Sequence, residues 1–312
     1  MAVSLVFFST SPIAIPLFKR LLEDSRFEIR ALICQPDRPV GRGQNLLAPE
    51  IKRLALDYHL PVFQPHKLRK DEGLLQQFKE GPPVDFLLTF AYGQILSLDW
   101  LNLARIAPLN VHPSLLPLYR GPSPLPAALL NGDSQTGISL MRMAEAMDAG
   151  PIAAQMEFPI QEGSTAGDLF EECALKAAEW IPEEILKLFE KPVFLAQDEA
   201  AATYCSLLTK EEAYTDFQIP AQLLLRRYRA YSPWPGLWTR FKGQRLKLFE
   251  LALSQDFKLK PGEIFVEKGQ CFIGTEENTV RVGAFQLEGK KQINAQAFLE
   301  GQRDFLGQIL PS

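Results

Sequence analysis

The run Val84-Asp85-Phe86-Leu87-Leu88-Thr89-Phe90 decides the fold. Its apolar residues do not alternate with polar ones. A strand of this kind is covered on both faces, as in a parallel sheet. Further apolar runs at residues 3–8, 28–34 and 108–112 read the same way. Between them, residues 13–22 carry apolar side chains at helical spacing, and residues 49–58 open on a proline suited to a first helical turn. Strands alternating with helices predict an α/β, Rossmann-like N-terminal domain. Two more strands are expected at 136–143 and 152–160, then a long helix from Ser164, as N-cap, to about Glu190. Lys191-Pro192 ends that helix.

After about residue 206 the texture changes. One amphipathic helix is expected at 221–230. Short strands follow at 237–241, 245–253, 263–267, 271–274 and 279–286, several separated by glycine turns. Five short strands of this kind suggest a small OB-like β-barrel. A length of 312 residues agrees with two domains. The expected division is 1–190 for the Rossmann-like domain, 191–205 for a linker and 206–312 for the OB-like domain.

Composition narrows the function classes. No apolar run reaches the roughly 20 residues of a membrane helix. The first residues lack the basic flank and cleavage site of a signal peptide, so the cytoplasm is the expected compartment. Cys34, Cys173, Cys205 and Cys271 are far apart and form no C-x-x-C pair, and His59, His66 and His112 are scattered, so no metal site is expected. His59 and His66 read as surface residues. The net charge of −4 argues against general nucleic-acid binding, but it is unevenly spread. Residues 1–205 hold 18 Lys and Arg against 25 Asp and Glu, while residues 206–312 hold 15 against 12. A weakly basic second domain can meet a polyanion.

The densest group of chemically useful residues is Asn110-Val-His112-Pro-Ser-Leu-Leu-Pro117-Leu-Tyr-Arg120-Gly121. Asn110 and His112 are two apart at a predicted strand end, so both point to one face. Strand carboxyl ends are where α/β sheets bind ligands. An amide donor beside an imidazole suits a carbonyl that becomes an oxyanion. The acidic loop Met143-Ala-Glu145-Ala-Met-Asp148-Ala-Gly150 supplies a carboxylate to orient His112, hold it charged or shuttle a proton.

These strings, with Asn131-Gly132-Asp133, Thr136-Gly137 and Met143, resemble the active-site pattern of the folate-dependent formyltransferases. The resemblance covers essentially the whole chain. It implies catalysis by Asn110, His112 and Asp148, with 10-formyltetrahydrofolate as co-substrate and no metal. In that scheme Asn110 donates to the developing oxyanion, His112 adds charge as imidazolium, and Asp148 raises the imidazole pKa and takes the amine's proton. The resemblance also implies a folate site at Phe90, Ala91, Tyr92, Gly93 and Ile95, with Ser114, Leu115, Leu116, Pro117 and Glu145 completing it.

Within that family, Cys34-Gln35-Pro36-Asp37-Arg38-Pro39-Val40-Gly41-Arg42-Gly43-Gln44 resembles an arm of the branch that formylates initiator methionyl-tRNA. Its arginines, Arg38 and Arg42, suit phosphate and base contacts, and its glycines and charges predict mobility without RNA. Pro233-Trp234-Pro235 and Lys210-Glu211-Glu212-Ala213 also match that branch's second domain. There Lys242, Arg245 and Lys247 are expected tRNA contacts, with Arg226, Arg227, Arg229, Lys290 and Lys291 as further cations. A monomer is implied.

Three positions depart from the family. Ser9-Thr10-Ser11 stands where Gly-Thr-Pro is usual, which demands either ordinary backbone or a strained residue. Pro113 and Ala146 replace frequent glycines. A formyltransferase acting on an amino-sugar nucleotide, or the hydrolase module of a formyltetrahydrofolate dehydrogenase, shares the catalytic core but not the arm. A non-catalytic RNA-binding protein has no use for the three-residue cluster. A nucleotide-dependent Rossmann enzyme lacks its G-x-G-x-x-G after the first strand.

Overall fold

The computed structural model describes residues 2–40 and 45–311. They form two compact units: residues 1–124, 135–159 and 170–205 make unit 1, and residues 125–134, 160–169 and 206–312 make unit 2.

Unit 1 begins with β1 (Val3–Phe8), buried throughout. A 3-10 turn over Pro12–Ala14 leads into α1 (Ile15–Glu23), which buries Leu17, Phe18 and Leu21, one stripe of the helix. Next come β2 (Phe27–Ile33), the short β3 (Arg38–Val40) and β4 (Asn45–Leu47), α2 (Glu50–Asp57) and β5 (Val62–Phe63). α3 (Glu72–Glu80) follows, capped by Asp71, whose side chain accepts from the Leu74 N–H at 3.0 Å. β6 (Val84–Thr89), α4 (Leu98–Leu101) and β7 (Ala104–His112) complete the parallel part. The hairpin of β8 (Gln135–Arg142) and β9 (Ile152–Pro159) follows, and α6 (Ala166–Glu190) is the long helix; α5 (Pro124–Asn131), just before β8, and the first turn of α6 are counted with unit 2.

The sheet order is β5-β2-β1-β6-β7-β8-β9. Its first five strands are parallel, and β8 and β9 are antiparallel. The order reverses beside β1, the arrangement that opens a ligand crevice at the strand carboxyl ends. Phe8, Tyr92 and Trp100 stack edge-on within one core cluster, with Phe8 centroids 5.6 and 5.9 Å from the other two rings.

Unit 2 is antiparallel. α7 (Ala221–Ala230) precedes β10 (Trp238–Phe241), β11 (Gln244–Ser254), β12 (Ile264–Glu267), β13 (Gln270–Gly274), β14 (Thr279–Leu287), β15 (Ile293–Asn294) and α8 (Ala295–Gly301). The order is β10-β11-β14-β13-β12, with β15 on β14. Among the described residues β10 and β12 do not pair, so this OB-like sheet is open at that seam. Phe241, Phe285, Phe298 and Phe305 pack together beneath it, at centroid distances of 4.6 to 6.3 Å.

Several expectations need correction. The cap of α6 is Thr165, not Ser164: the Asp168 carboxylate accepts from the Thr165 N–H at 2.8 Å and from its hydroxyl at 2.7 Å. Residues 191–205 are no free linker. Leu195 exchanges two backbone hydrogen bonds with Ile152, at 2.7 and 2.8 Å, on the open edge of β9. Residues 125–134 and 160–169, expected in the first domain, belong to unit 2. Gly167 N–H donates to the Ser232 carbonyl at 3.0 Å, and Arg226 donates to the Asn131 carbonyl at 3.3 Å. The arm expected at residues 35–44 has paired backbone at its base, where β3 and β4 form an antiparallel ladder. Residues 41–44, including Arg42, lie outside the described residues. Finally, α3, β5 and α8 have no counterpart in the sequence pattern because their periodicity is short or interrupted, and α5 has none because it is too uniformly apolar to show a stripe.

Gly137 on β8 faces the loop that follows β7. A Cβ there would lie 2.3 Å from the Met156 carbonyl oxygen and 2.4 Å from Leu115 Cδ2. Gly137→Ala is therefore expected to destabilise unit 1 by about 1–3 kcal/mol, read as a lowered urea midpoint with unchanged slope.

Candidate active site

β7 carries Asn110 and His112 to its carboxyl end, between the ends of β6 and β8. Asn110 is in register with Thr89 on one side and Met141 on the other. His112 is 4% exposed. Its Nε2 lies 2.9 Å from the Tyr119 carbonyl oxygen. A carbonyl only accepts, so Nε2 carries the hydrogen. Its Nδ1 lies 3.6 Å from Asp148 Oδ2.

Asp148 sits in the loop between β8 and β9. Its backbone is left-handed, with φ 50°, a conformation that aspartate tolerates better than most residues. The bend relies on Gly150, where a Cβ would lie 1.9 Å from the Arg142 carbonyl oxygen. The carboxylate accepts from the Gly121 N–H at 2.9 Å through Oδ2 and from Asn110 Nδ2 at 3.4 Å through Oδ1. The structure thus brings all three expected catalytic residues together, although Asp148 is 36 positions from His112.

Burial pushes the His112 imidazole below its ordinary range, while the Asp148 carboxylate and the Tyr119 carbonyl oppose that shift. The net direction is down, so burial favours the uncharged ring. Both ring nitrogens face acceptors, the Tyr119 carbonyl at Nε2 and the Asp148 carboxylate at Nδ1.

The loop after β7 is internally braced. The Ser114 hydroxyl donates to the Leu118 carbonyl at 2.6 Å, and the Ser139 hydroxyl donates to the Ser114 carbonyl at 2.7 Å. Ser139 Oγ also accepts the Leu116 N–H at 3.0 Å. Of the expected folate residues on this loop, Ser114 and Leu116 are buried, and Leu115 and Pro117 are half-buried. On the loop after β6, Phe90 and Tyr92 are buried, while Ala91, Gly93 and Ile95 are exposed. The Tyr92 ring faces the core and its carbonyl is already used, accepting from Thr10 Oγ1 at 3.1 Å and Gln35 Nε2 at 2.8 Å. Glu145 is exposed on the loop that ends at Asp148.

The departures at glycine positions are resolved by ordinary backbone. Ser11 has φ −82°, and Ser9, Thr10 and Ala146 all lie outside the left-handed region.

Of the residues expected to meet tRNA, Arg38 is exposed and donates to Gln35 Oε1. Lys242 pairs with Asp304. Arg245 lies over the Trp238 ring, 4.5 Å from its centroid. Lys247 Nζ donates to the Pro235 carbonyl at 2.7 Å. Its pKa is lowered by burial and by the nearby positive charges of Arg245 and Lys210. Arg226 and Arg227 spend donors inside unit 2, Arg227 on the Tyr214 carbonyl at 2.8 Å.

Sequence reasoning assigned no role to Arg120, which is 1% exposed, or to Gln197, Glu199 and Thr203, which surround it and its neighbour Tyr119. An arginine beside Gly121, in the loop that follows Asn110 and His112, was a usable signal. The partners across the chain left none.

Among the described residues no helix is long and apolar enough to cross a membrane, and none of their His, Cys, Asp and Glu side chains group as a metal site.

The formyl transferase family matches residues 3–185, and its C-terminal domain matches residues 207–303. The chain is 38% identical over 307 residues to a methionyl-tRNA formyltransferase of a Synechococcus strain, covering 95% of this chain and 94% of the relative. Among solved structures, HypX from Aquifex aeolicus in complex with tetrahydrofolic acid is similar at TM-score 0.63 and 18% identity, over 98% of this chain and 48% of that one. Methionyl-tRNA formyltransferase from Clostridium thermocellum is similar at TM-score 0.59 and 16% identity, over 82% of this chain and 95% of that one. Two domain matches in the family's order, together with a full-length relative at this identity, place the chain in the formyl transferase family.

Proposed function

We propose that this chain transfers the formyl group of 10-formyltetrahydrofolate to the amino group of methionine on initiator methionyl-tRNA, giving N-formylmethionyl-tRNA for translation initiation. The observation that carries the reading is the similarity, at 38% and 35% identity over 95% and 96% of this chain, to relatives named methionyl-tRNA formyltransferase. The converged Asn110, His112 and Asp148 supply the chemistry. The enzyme acts as a monomer in the cytoplasm.

The folate donor fits at the ends of β6, β7 and β8. Ile95 and Met147, 67% and 62% exposed on the two flanking loops, offer apolar surface for a flat pterin ring. Attack by the neutral amine forms the new N–C bond and moves the carbonyl pair onto the formyl oxygen. Asn110 donates to that oxygen through an amide held only at 3.4 Å by Asp148. The attacking nitrogen loses its extra proton to Nδ1 of neutral His112. The imidazolium so formed faces the Asp148 carboxylate, which stabilises it. When the C–N bond to folate breaks, the leaving nitrogen takes that proton.

Arg38 and Arg42 on the arm, with Lys242, Arg245 and Lys247 on unit 2, meet the tRNA. Lys247 and Arg245 repel each other in the free protein, and a phosphate relieves that repulsion.

The deciding experiment supplies 10-formyltetrahydrofolate and charged initiator methionyl-tRNA and measures formylmethionine after hydrolysis. Formylation is expected, with a loss of roughly 10²–10³ in kcat for Asn110→Ala and at least as much for His112→Ala. Formylation of an amino-sugar nucleotide in place of the tRNA would overturn the reading.

The pH profile follows from the burial of His112. Its neutral form is active and its pKa is shifted down, so the acid limb of kcat/KM is expected below the ordinary value of 6.5. The same shift means that the folded protein binds fewer protons at this site than the unfolded chain. The site's stability contribution is present above 6.5 and lost as pH falls through the folded pKa. Stability and kcat/KM measured between pH 4 and 8 test both signs.

Arg245→Ala and Lys247→Ala are each expected to weaken tRNA binding and to reduce the slope of log affinity against log salt by about 1 for each phosphate no longer neutralised. An unchanged slope would remove these residues from the interface.

A further inference from the structure

We infer that Gln197 is a positioning residue: it holds the Asp148 main chain so that the carboxylate meets His112, and it couples that hold to buried Arg120. The inference rests on the catalytic reading of Asp148 and His112 given above.

Gln197 lies 49 positions from Asp148, in the stretch that looked like a linker. Its Nε2 donates to the Asp148 carbonyl at 2.7 Å and to the Gly150 carbonyl at 2.7 Å. Both amide hydrogens are thereby committed to the two ends of the bend that places Asp148. Its Oε1 accepts from Arg120 Nε at 3.1 Å and Nη2 at 2.9 Å. The remaining Arg120 donors go to Glu199, at 2.9 and 2.7 Å, and to the Tyr204 hydroxyl at 3.2 Å. All five N–H groups of the guanidinium are used, so Arg120 is a fixed anchor rather than a mobile cation.

The main chain around Arg120 is tied to the same segment, the strap formed by residues 195–205. Tyr119 N–H donates to Thr203 Oγ1 at 2.8 Å, Arg120 N–H to the Thr203 carbonyl at 2.9 Å, and Cys205 N–H to the Arg120 carbonyl at 2.9 Å. Tyr119 supplies the carbonyl that fixes His112, and Gly121 supplies the N–H that fixes the Asp148 carboxylate. The strap therefore sets both members of the His112–Asp148 pair. Gln197 is its direct connection to Asp148, whose left-handed backbone needs an outside hold.

Two variants separate this role from simple support of Arg120. Gln197→Glu keeps an acceptor for Arg120 but loses the donor to Asp148 and Gly150 and sets an oxygen against two carbonyl oxygens. Gln197→Met loses both functions without adding charge. Positioning predicts that both lower kcat by roughly 10- to 100-fold with little change in KM. A role confined to Arg120 predicts that Glu is harmless.

The second readout is the His112 ring titration by NMR in the free protein. Displacing the carboxylate that opposes burial moves the Gln197→Met midpoint down, by roughly 0.5 pH unit or more. An unchanged midpoint in Gln197→Met, or a Gln197→Glu kcat within twofold of the parent, overturns the inference. The titration needs no substrate. Absence of formylation by the unmodified protein would therefore overturn the function while leaving the Gln197 test standing.

Discussion

An imidazole withdrawn from water at the end of a strand must have both nitrogens placed, and unit 1 is organised around that requirement. His112 Nε2 is tied to the Tyr119 carbonyl, while Nδ1 faces Asp148. Burial favours the neutral ring, and the carboxylate limits how far. A proton taken up at Nδ1 would lie beside that carboxylate. Each fixed atom in turn needs a fixed neighbour. Tyr119 depends on Thr203, the Asp148 carboxylate on the Gly121 N–H, and the Asp148 carbonyl on Gln197.

That chain of dependence explains why an arginine lies buried beside the site. Arg120 is an expensive residue to desolvate. Its charge is met by a bidentate carboxylate, and all its donors are used. With those partners it joins the loop after β7 to the strap at 195–205. A neutral residue there would leave Gln197 Oε1 without its two donors. Unit 2 handles charge differently: Arg245 lies on an aromatic face, and Lys247 is held against like charges. Such cations gain when a polyanion arrives.

The strands were legible because continuous apolar runs have one physical meaning in an α/β chain. β1, β6 and β8 lie within about one residue of their expected bounds, and α7 spans the expected 221–230. Asn110 and His112 were legible because period-two alternation puts both on one face. Short elements were not: β5 has two residues, and α5 is too uniformly apolar to show a stripe. The linker reading failed at residues 191–205 because an irregular, polar stretch looks the same whether it crosses solvent or lies along another segment. The downward shift of His112 was not legible, because a nearby carboxylate is visible in the sequence and burial is not.

The sequence by itself determined the layered α/β and antiparallel architectures and the family, and it singled out Asn110, His112 and Asp148 as candidates for the chemistry. Those depend on local periodicity and on residue types at short spacings. Only the tertiary structure decided the burial of His112, the inward turn of Tyr92, and the hydrogen bonds that join Arg120 and Gln197 to the Asp148 loop. Desolvation is set by everything that surrounds a group, and a hydrogen bond spanning 49 positions leaves no mark on the residues at either end.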